Sequence, residues 1–220
     1  HNYFLKSIAL VIRQMPYVKV WIIGDAPANK QEYKQELKFM TKRLGISQQV
    51  SFLGNRKDVP ELLAQSDVLV LSTITQEAFG RVILEAQAVG VAVVATKVGG
   101  VVDIIDHEKT GLLVMPKDVE EMARAIIRLL KDKKLVNSMI KAAQQKILEQ
   151  YTLEHMASAT IKVYEEVLQS LSILIIKLSS VGDVVLATAS IRAIRKKFPQ
   201  AKIYCLVGKA SCKVLQAEQF

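Results

Sequence analysis

Residues 72–114 constrain what this chain can fold into more than any other stretch. They follow a run of apolar residues, 68–71, that has the length and composition of a buried strand. A polar loop comes next, then a pattern that predicts a helix over 79–88, then a second apolar run at 91–95. This order of strand, loop, helix and strand is typical of a parallel α/β sheet, in which ligands bind beside the carboxyl ends of the strands.

The start of the predicted helix is suited to binding an anion. The first N–H groups of a helix have no partner within it and carry partial positive charge, which favours phosphate groups. Here these amides belong to Phe79, Gly80, Arg81 and Val82. Because Gly80 has no side chain, a ligand can approach the backbone closely there. We therefore expect a phosphate or a similar anion at this position.

Two carboxylates flank the same helix start. Glu77 lies in the preceding loop, and Glu85 lies about one and a half turns into the helix. A carboxylate accepts hydrogen bonds from two neighbouring hydroxyls, so the pair suits a sugar and a ribose on either side of a diphosphate. Two isolated glutamates are more often solvated surface residues, so their interpretation as a site depends on the residues around them.

Strand and helix patterns alternate along the whole chain, with connections of two to six residues. This alternation predicts an α/β protein with a Rossmann-like parallel sheet, helices on both faces and right-handed crossovers. Gly24 opens the turn after the predicted strand at 18–23, but this turn lacks the further glycines of a dinucleotide-binding loop. The sequence therefore disfavours NAD as a ligand.

The residues around the two glutamates resemble the donor-site signature of glycosyltransferase family 4. The resemblance covers about residues 1–169 and departs from the family at Gln87, where members usually have Met, and at Ala92, where they usually have Pro. The matching segments are Glu77-Ala78-Phe79-Gly80, Leu84-Glu85-Ala86, Gly90, Val93-Val94-Ala95-Thr96, Gly99-Gly100 and Thr110-Gly111-Leu112-Leu113-Val114.

Members of that family are retaining enzymes of the GT-B fold that use nucleotide-sugars. The resemblance implies that Glu77 binds the hydroxyls of the sugar, Glu85 those of the ribose, and the amides of residues 79–82 the diphosphate. Gly24 and Arg56 lie in segments that look like earlier parts of the donor domain, with Arg56 near the nucleobase. The nucleotide-diphosphate-sugar would be a substrate, and neither a cofactor nor a metal is implied.

The resemblance also implies parts that precede His1 in members of the family. These are a first strand, an Arg and a Lys-Gly pair that hold the diphosphate, and a whole acceptor domain. We therefore expect residues 1–169 to be a donor-binding domain, the C-terminal half of a GT-B fold, without its first strand. We also expect this chain by itself to be inactive in transfer.

A second βαβ pattern begins at residue 171. It consists of an apolar run at 173–177, a helix that Asp183 opens, and an apolar run at 202–207. This segment resembles the amino terminus of the ADP-heptose lipopolysaccharide heptosyltransferases, glycosyltransferase family 9, in which the Asp matching Asp183 is taken as the base that deprotonates the acceptor. A simple helix cap is the alternative for Asp183. We expect residues 171–220 to be the truncated start of a second GT-B glycosyltransferase.

The charge limits which partners the protein is expected to have, and the cysteine content limits the compartment in which it is expected to occur. The net charge is +9, and residues 171–220 hold 8 Lys and Arg against 2 Asp and Glu. The basic cluster at 192–197 has no interleaved aromatic residues, so nucleic acid is not an expected partner. Two cysteines, Cys205 and Cys212, fit a reducing compartment. We expect a cytoplasmic protein, with peripheral contact to the anionic inner face of the inner membrane as an open alternative.

The expected activity is metal-independent, retaining transfer of a glycosyl group to a saccharide or lipid-linked acceptor. The setting would be bacterial surface-polysaccharide or lipopolysaccharide biosynthesis, with the chain a junction between a pair of glycosyltransferases. Two other classes stay open. One is a GT-B nucleotide-sugar epimerase, and the other is a non-catalytic nucleotide-binding or protein-interaction module, which would not prefer sugar diphosphates to plain nucleotides.

Overall fold

The computed structural model describes residues 1–27, 31–169, 172–177, 181–209 and 212–216. The chain divides into two compact units, His1–Tyr151 and Thr152–Phe220. The sequence places a domain boundary at residue 170, which lies outside the described residues. By its contacts, the helix that precedes this position groups with the second unit.

Helices and strands alternate in the first unit in the predicted order, with bounds within two residues of those predicted. The elements are α1 Asn2–Gln14, β1 Val20–Ile23, α2 Gln31–Arg43, β2 Val50–Gly54, α3 Val59–Ala64, β3 Val68–Leu71, α4 Arg81–Ala88, β4 Ala92–Thr96, α5 Val101–Ile104, β5 Leu112–Val114, α6 Val119–Lys131 and α7 Lys133–Gln150.

Aspartates set the starts of two helices in this unit. The carboxylate of Asp118 accepts from the amide of Glu121 at 2.8 Å, so the predicted cap of α6 is confirmed. Asp132 caps α7 in the same way. Asp58 is the N-cap residue of α3, as predicted, but its side chain accepts no amide of that helix. Its carboxylate pairs with Arg56 instead.

All strand pairs of the first unit are parallel, as predicted. β1 pairs with β2, and β4 lies between β3 and β5, so that β5 forms an edge. In place of one continuous sheet, the described residues form a two-stranded and a three-stranded sheet, because β1 and β3 do not pair with each other.

Helices cover both faces of β4, and the strand is buried throughout. Ala92 and Val94 join an apolar cluster that contains residues of α1 and α6, and the same cluster reaches Val20 and Val50 of the other sheet. Val93 and Ala95 point the opposite way and join a cluster with α4 and α5. The two-residue alternation along β4 thus builds the predicted two-faced α/β arrangement.

The second unit contains α8 Leu153–Gln169, β6 Ser172–Lys177, α9 Val181–Lys197, β7 Lys202–Val207 and α10 Cys212–Gln216. β6 and β7 pair in parallel from Ser172↔Lys202 to Lys177↔Val207, which confirms the predicted βαβ arrangement. Asp183 is the third residue of α9 and does not open it as predicted, because the helix begins at Val181. The sequence did not predict α10.

A single buried hydroxyl connects β4 to the loop that follows β3. Thr96, at the end of β4, is fully buried. Its Oγ1 lies 3.2 Å from the carbonyl oxygen of Leu71 and 2.5 Å from that of Thr73. This contact fixes the first residues of the loop against the central strand. None of the helices in the described parts of either unit has the length and apolarity to cross a membrane.

We expect Thr96→Val to lower the free energy of unfolding by about 1–3 kcal/mol, because buried carbonyls lose their donor while the shape of the side chain is kept. Urea denaturation measures the loss. Thr96→Ser keeps the hydroxyl and should lose less stability than Thr96→Val. A valine variant as stable as the parent chain would show that the hydroxyl does not hold the loop.

Candidate functional site

The loop between β3 and α4 carries the candidate site. It leaves the carboxyl end of β3 and contains Glu77, which is half-buried, while Glu85 is exposed on α4. The strand and helix positions agree with the sequence prediction that a loop at the end of a parallel strand presents these carboxylates beside a helix start.

The start of α4 differs from the prediction by two residues. Gly80 is the N-cap residue with φ 79° and ψ 45°, a left-handed conformation that interrupts a right-handed helix and that glycine adopts without strain. Of the four predicted anion-binding amides, those of Arg81 and Val82 therefore lie in the first turn, whereas Phe79 and Gly80 precede the helix.

Glu77 lies just before this helix start, and its carboxylate binds the amide of the N-cap residue. Its Oε1 accepts the amide hydrogen of Gly80 at an N–O distance of 3.2 Å. A carboxylate is favoured at the amino end of a helix by the partial positive charge there. One of the amides that the sequence assigned to a ligand therefore already has an anionic partner within the chain.

Glu85 pairs with Arg81 one turn earlier on α4. The Arg81 Nη2–Glu85 Oε1 distance is 3.3 Å, and the two side chains are 84% and 45% exposed. An exposed pair of this kind contributes little to stability, so a ligand hydroxyl can replace the arginine at small cost. Glu85 is thus accessible for binding.

Two glycines after β4 support the backbone of the Glu77 loop. The amide of Gly100 donates to the carbonyl of Glu77 at 2.8 Å. A Cβ atom on Gly99 would lie 2.2 Å from the carbonyl oxygen of Glu77, and one on Gly100 would lie 2.5 Å from that of Ala78. Only residues without side chains fit this contact. Both glycines belong to the segments that carry the family resemblance, but the sequence assigned them no role.

Tyr151, at the end of α7, and Lys146 of α7 contact Phe79 and the backbone of α5. The rings of Phe79 and Tyr151 are tilted against each other with centroids 6.3 Å apart. The Tyr151 hydroxyl donates to the carbonyl of Asp103 at 3.1 Å, and Lys146 Nζ donates to the carbonyls of Asp103 and Ile104. Sequence reasoning missed these residues, because they are distant in the chain and belong to no local pattern.

Gly24 and Arg56 lie at the carboxyl ends of β1 and β2. The Gly24 amide donates to the carbonyl of Gly54 at 2.8 Å. The guanidinium of Arg56 binds both carboxylate oxygens of Asp58, and this hydrogen bonding holds the pKa of Asp58 below its ordinary value. Arg56 therefore already has an anionic partner.

A cavity of about 1440 Å³ in the first unit brings several predicted residues together. Gly24, Arg56 and Val82 line it, together with residues 72–75 of the loop after β3. Glu77, Phe79, Gly80, Arg81 and Glu85 are not among the residues that line this cavity. Asp183 belongs to the second unit.

We expect Gly100→Ala to displace residues 77–79, because the new methyl group would overlap the carbonyl of Ala78. Gly100 has φ −67° and ψ −5°, which alanine adopts freely, so the effect would come from this contact. The amide NMR signals of Glu77 and Gly80 should shift, and the free energy of unfolding should fall by about 1–3 kcal/mol.

Gly208→Ala is the matched control, since a Cβ atom there meets no atom within 4 Å. Unchanged signals of Glu77 and Gly80 in Gly100→Ala would contradict the supporting role of the glycine.

Curated relatives match most of this chain. The N-acetyl-alpha-D-glucosaminyl L-malate synthase of Bacillus anthracis is 38% identical over 165 residues, which are 75% of this chain and 42% of the relative. A lipopolysaccharide core biosynthesis glycosyltransferase of Rhizobium meliloti is 30% identical over 152 residues, 69% of this chain and 43% of the relative. The match thus spans less than half the length of either protein.

Solved structures share the fold. The Anabaena protein Alr3699/HepE, determined in complex with UDP, gives a TM-score of 0.71 at 29% identity over 76% of this chain and 45% of its own. The C-terminal domain of a glycosyl transferase group 1 family protein from Francisella tularensis gives 0.64 at 27% identity over 69% of this chain and 79% of its own.

The family model described as "Glycosyl transferases group 1" matches residues 1–146. This segment contains the parallel strands, the helices on both faces and the loop with Glu77. Together with the solved structures, the match shows that the first unit has the Rossmann-like fold of one half of a GT-B enzyme and that this chain belongs to the group 1 glycosyltransferases.

Proposed function

We propose that the first unit binds the nucleotide-sugar donor of a retaining glycosyl transfer. The observation that carries this proposal is the loop after β3, which places Glu77 on the amino end of α4 while Glu85 stands exposed on the same helix. The Anabaena relative supports it, since that protein was determined with UDP, with UDP and glucose, and with UDP-glucose.

Each carboxylate has a separate task in this proposal. Glu85 leaves Arg81 and accepts from the ribose hydroxyls. Glu77 keeps its bond from the Gly80 amide and still accepts from a sugar hydroxyl, because a carboxylate offers about four lone-pair positions. The amides of Arg81 and Val82 face the diphosphate, as the first N–H groups of a helix do.

The transfer itself needs mainly orientation and charge stabilisation. The bond between the anomeric carbon and the diphosphate oxygen breaks, the acceptor oxygen bonds to the same carbon from the same face, and its proton passes to the leaving diphosphate. The helix amides stabilise the charge that develops on this leaving group. The donor is a substrate, and we propose the reaction without a cofactor. Gly24 and Arg56 would border the nucleobase.

The acceptor side of the proposal rests on the relatives alone. The Rhizobium meliloti relative is described as acting in lipopolysaccharide core biosynthesis. We propose a saccharide or lipid-linked acceptor that is bound by a separate acceptor domain, in assembly of a bacterial surface polysaccharide.

The second unit adds two further parts to the proposal. Its βαβ arrangement, with Asp183 in the first turn of α9, supports a heptosyltransferase-like start in which Asp183 is the acceptor base. The free thiols Cys205 and Cys212 support a cytoplasmic location, and the basic end of α9 supports peripheral contact with an anionic membrane.

Titration of the 220-residue chain with UDP, UDP-glucose and ADP, followed by NMR, tests donor binding. The amide signals of Arg81, Val82 and Glu85 should shift, and a sugar diphosphate should bind more tightly than a plain nucleotide. Glu85→Gln should weaken UDP binding about tenfold, because a hydrogen bond to a charged group contributes about 1.5–3 kcal/mol.

Glu120→Gln is the matched control. Glu120 pairs with Arg124 one turn away on α6, at 3.6 Å and with both side chains exposed, so it is also a glutamate in an exposed pair of residues four apart, with the order of acid and base reversed. Equal weakening in the two variants, or unshifted signals of the α4 amides, would contradict the proposed site.

A further inference from the structure

The two carboxylates of the candidate site stand on two different supports. Glu85 belongs to α4, whereas the carbonyl of Glu77 is bound by the amide of Gly100, the N-cap residue of α5. The relative position of α4 and α5 therefore influences how the two carboxylates are arranged around a ligand. An element that binds both helices can fix this arrangement without reaching the site itself.

Side chains of α7 donate hydrogen bonds to the carboxyl ends of both helices. Gln144 Nε2 lies 3.3 Å from the carbonyl oxygen of Ala88, the last residue of α4. Lys146 Nζ lies 3.1 Å and 3.0 Å from the carbonyl oxygens of Asp103 and Ile104, the last two residues of α5. The last carbonyls of a helix have no partner within it and carry partial negative charge, so these donors stabilise both helix ends.

The ammonium group of Lys146 is held in one place beside α5. Its third contact, at 3.0 Å, is with Oδ1 of Asp106, and the Lys146 side chain is only 14% exposed. α5 spans four residues, about one helical turn, so a displacement of its carboxyl end also displaces Gly100 at its start. Lys146 thus acts on the contact that binds the Glu77 carbonyl.

Tyr151 contacts α5 and the Glu77 loop with the same side chain. Its hydroxyl donates to the carbonyl of Asp103 at 3.1 Å, and its ring is tilted against that of Phe79. Phe79 directly precedes Gly80, whose amide donates to the Glu77 carboxylate. Because the phenol of Tyr151 is rigid, it limits the distance between α5 and this part of the loop.

We propose that Lys146 and Tyr151 are positioning residues of the donor site, which hold α5 and thereby direct the Glu77 carboxylate toward the sugar. This inference rests on the proposed function, because it concerns the part of donor binding that depends on the sugar. Neither side chain touches the donor. UDP alone, bound through Glu85 and the α4 amides, depends little on the two residues, whereas UDP-glucose depends on them through Glu77.

Dissociation constants of the 220-residue chain for UDP and UDP-glucose, measured by calorimetry, test this. In Lys146→Met and in Tyr151→Leu, the preference for UDP-glucose over UDP should fall about threefold to tenfold, the size of indirect effects on a binding site, while the affinity for UDP changes less than about twofold. Lys146→Arg keeps a cationic donor and should retain most of the preference. Without ligand, the amide NMR signals of Gly80 and Gly100 should shift in Lys146→Met and in Tyr151→Leu.

Lys141→Met and Ala143→Gly are the matched controls on α7. Lys141 is exposed and lies five residues before Lys146, and the glycine variant weakens the helix while both positioning residues remain. An unchanged preference in Lys146→Met, or an equal loss in either control, would overturn the proposal. If the parent chain binds UDP-glucose no more tightly than UDP, the sugar-binding part of the proposed function fails. The signals of Gly80 and Gly100 then decide the positioning role, since unchanged signals in Lys146→Met contradict it and shifted signals support it.

Discussion

The candidate site depends on a backbone contact between the turn that follows β4 and the loop after β3. Gly100 donates to the carbonyl of Glu77, and no side chain would fit at Gly99 or Gly100. Thr96 binds the beginning of the same loop through the carbonyls of Leu71 and Thr73. The loop is therefore fixed at one end by the last residue of the buried strand β4 and at the other by the N-cap residue of α5. This explains how a chain segment without regular structure can present a carboxylate in a defined direction: its geometry comes from the central strand and the two apolar clusters that hold it.

The position of Glu77 gives the helix start an electrostatic character that the sequence did not reveal. A carboxylate held by the Gly80 amide, just before α4, reduces the positive potential that the helix end offers to a phosphate. A diphosphate arriving there meets a negative charge, and this repulsion needs a cation nearby. Arg81 is suited to that task, because its side chain is 84% exposed and its pair with Glu85 is loose. In the proposed donor complex, the same arginine would release Glu85 for the ribose and turn toward the diphosphate.

The sequence predicted most of the fold because its elements are short apolar runs between strong boundary residues. β3, β5, β7 and α3 occur at the predicted bounds. The start of α4 was misplaced because Gly80 takes a left-handed conformation, which the spacing of apolar residues does not report. Asp58 is the N-cap residue of α3 as predicted, but the sequence did not show that its carboxylate binds Arg56 and not a helix amide. Within the site, the sequence identified the two glutamates but not their supports, since Thr96 and Leu71 are 25 residues apart, and Tyr151 and Asp103 are 48 apart. Such contacts follow from strand order in space.

The cavity that β1 and β3 line and the candidate site share part of the chain. Residues 72–75 line this cavity and lead directly to Glu77, and Gly24 and Arg56 line the same cavity. Thr96 and Gly100 bind the two ends of the loop that contains these residues. Any restraint on this loop that favours the binding-competent geometry of Glu77 must, by thermodynamic linkage, be favoured equally by a ligand bound there. Loss of the Thr96 or Gly100 contact is therefore expected to weaken a ligand bound at Glu77, although neither residue needs to touch that ligand.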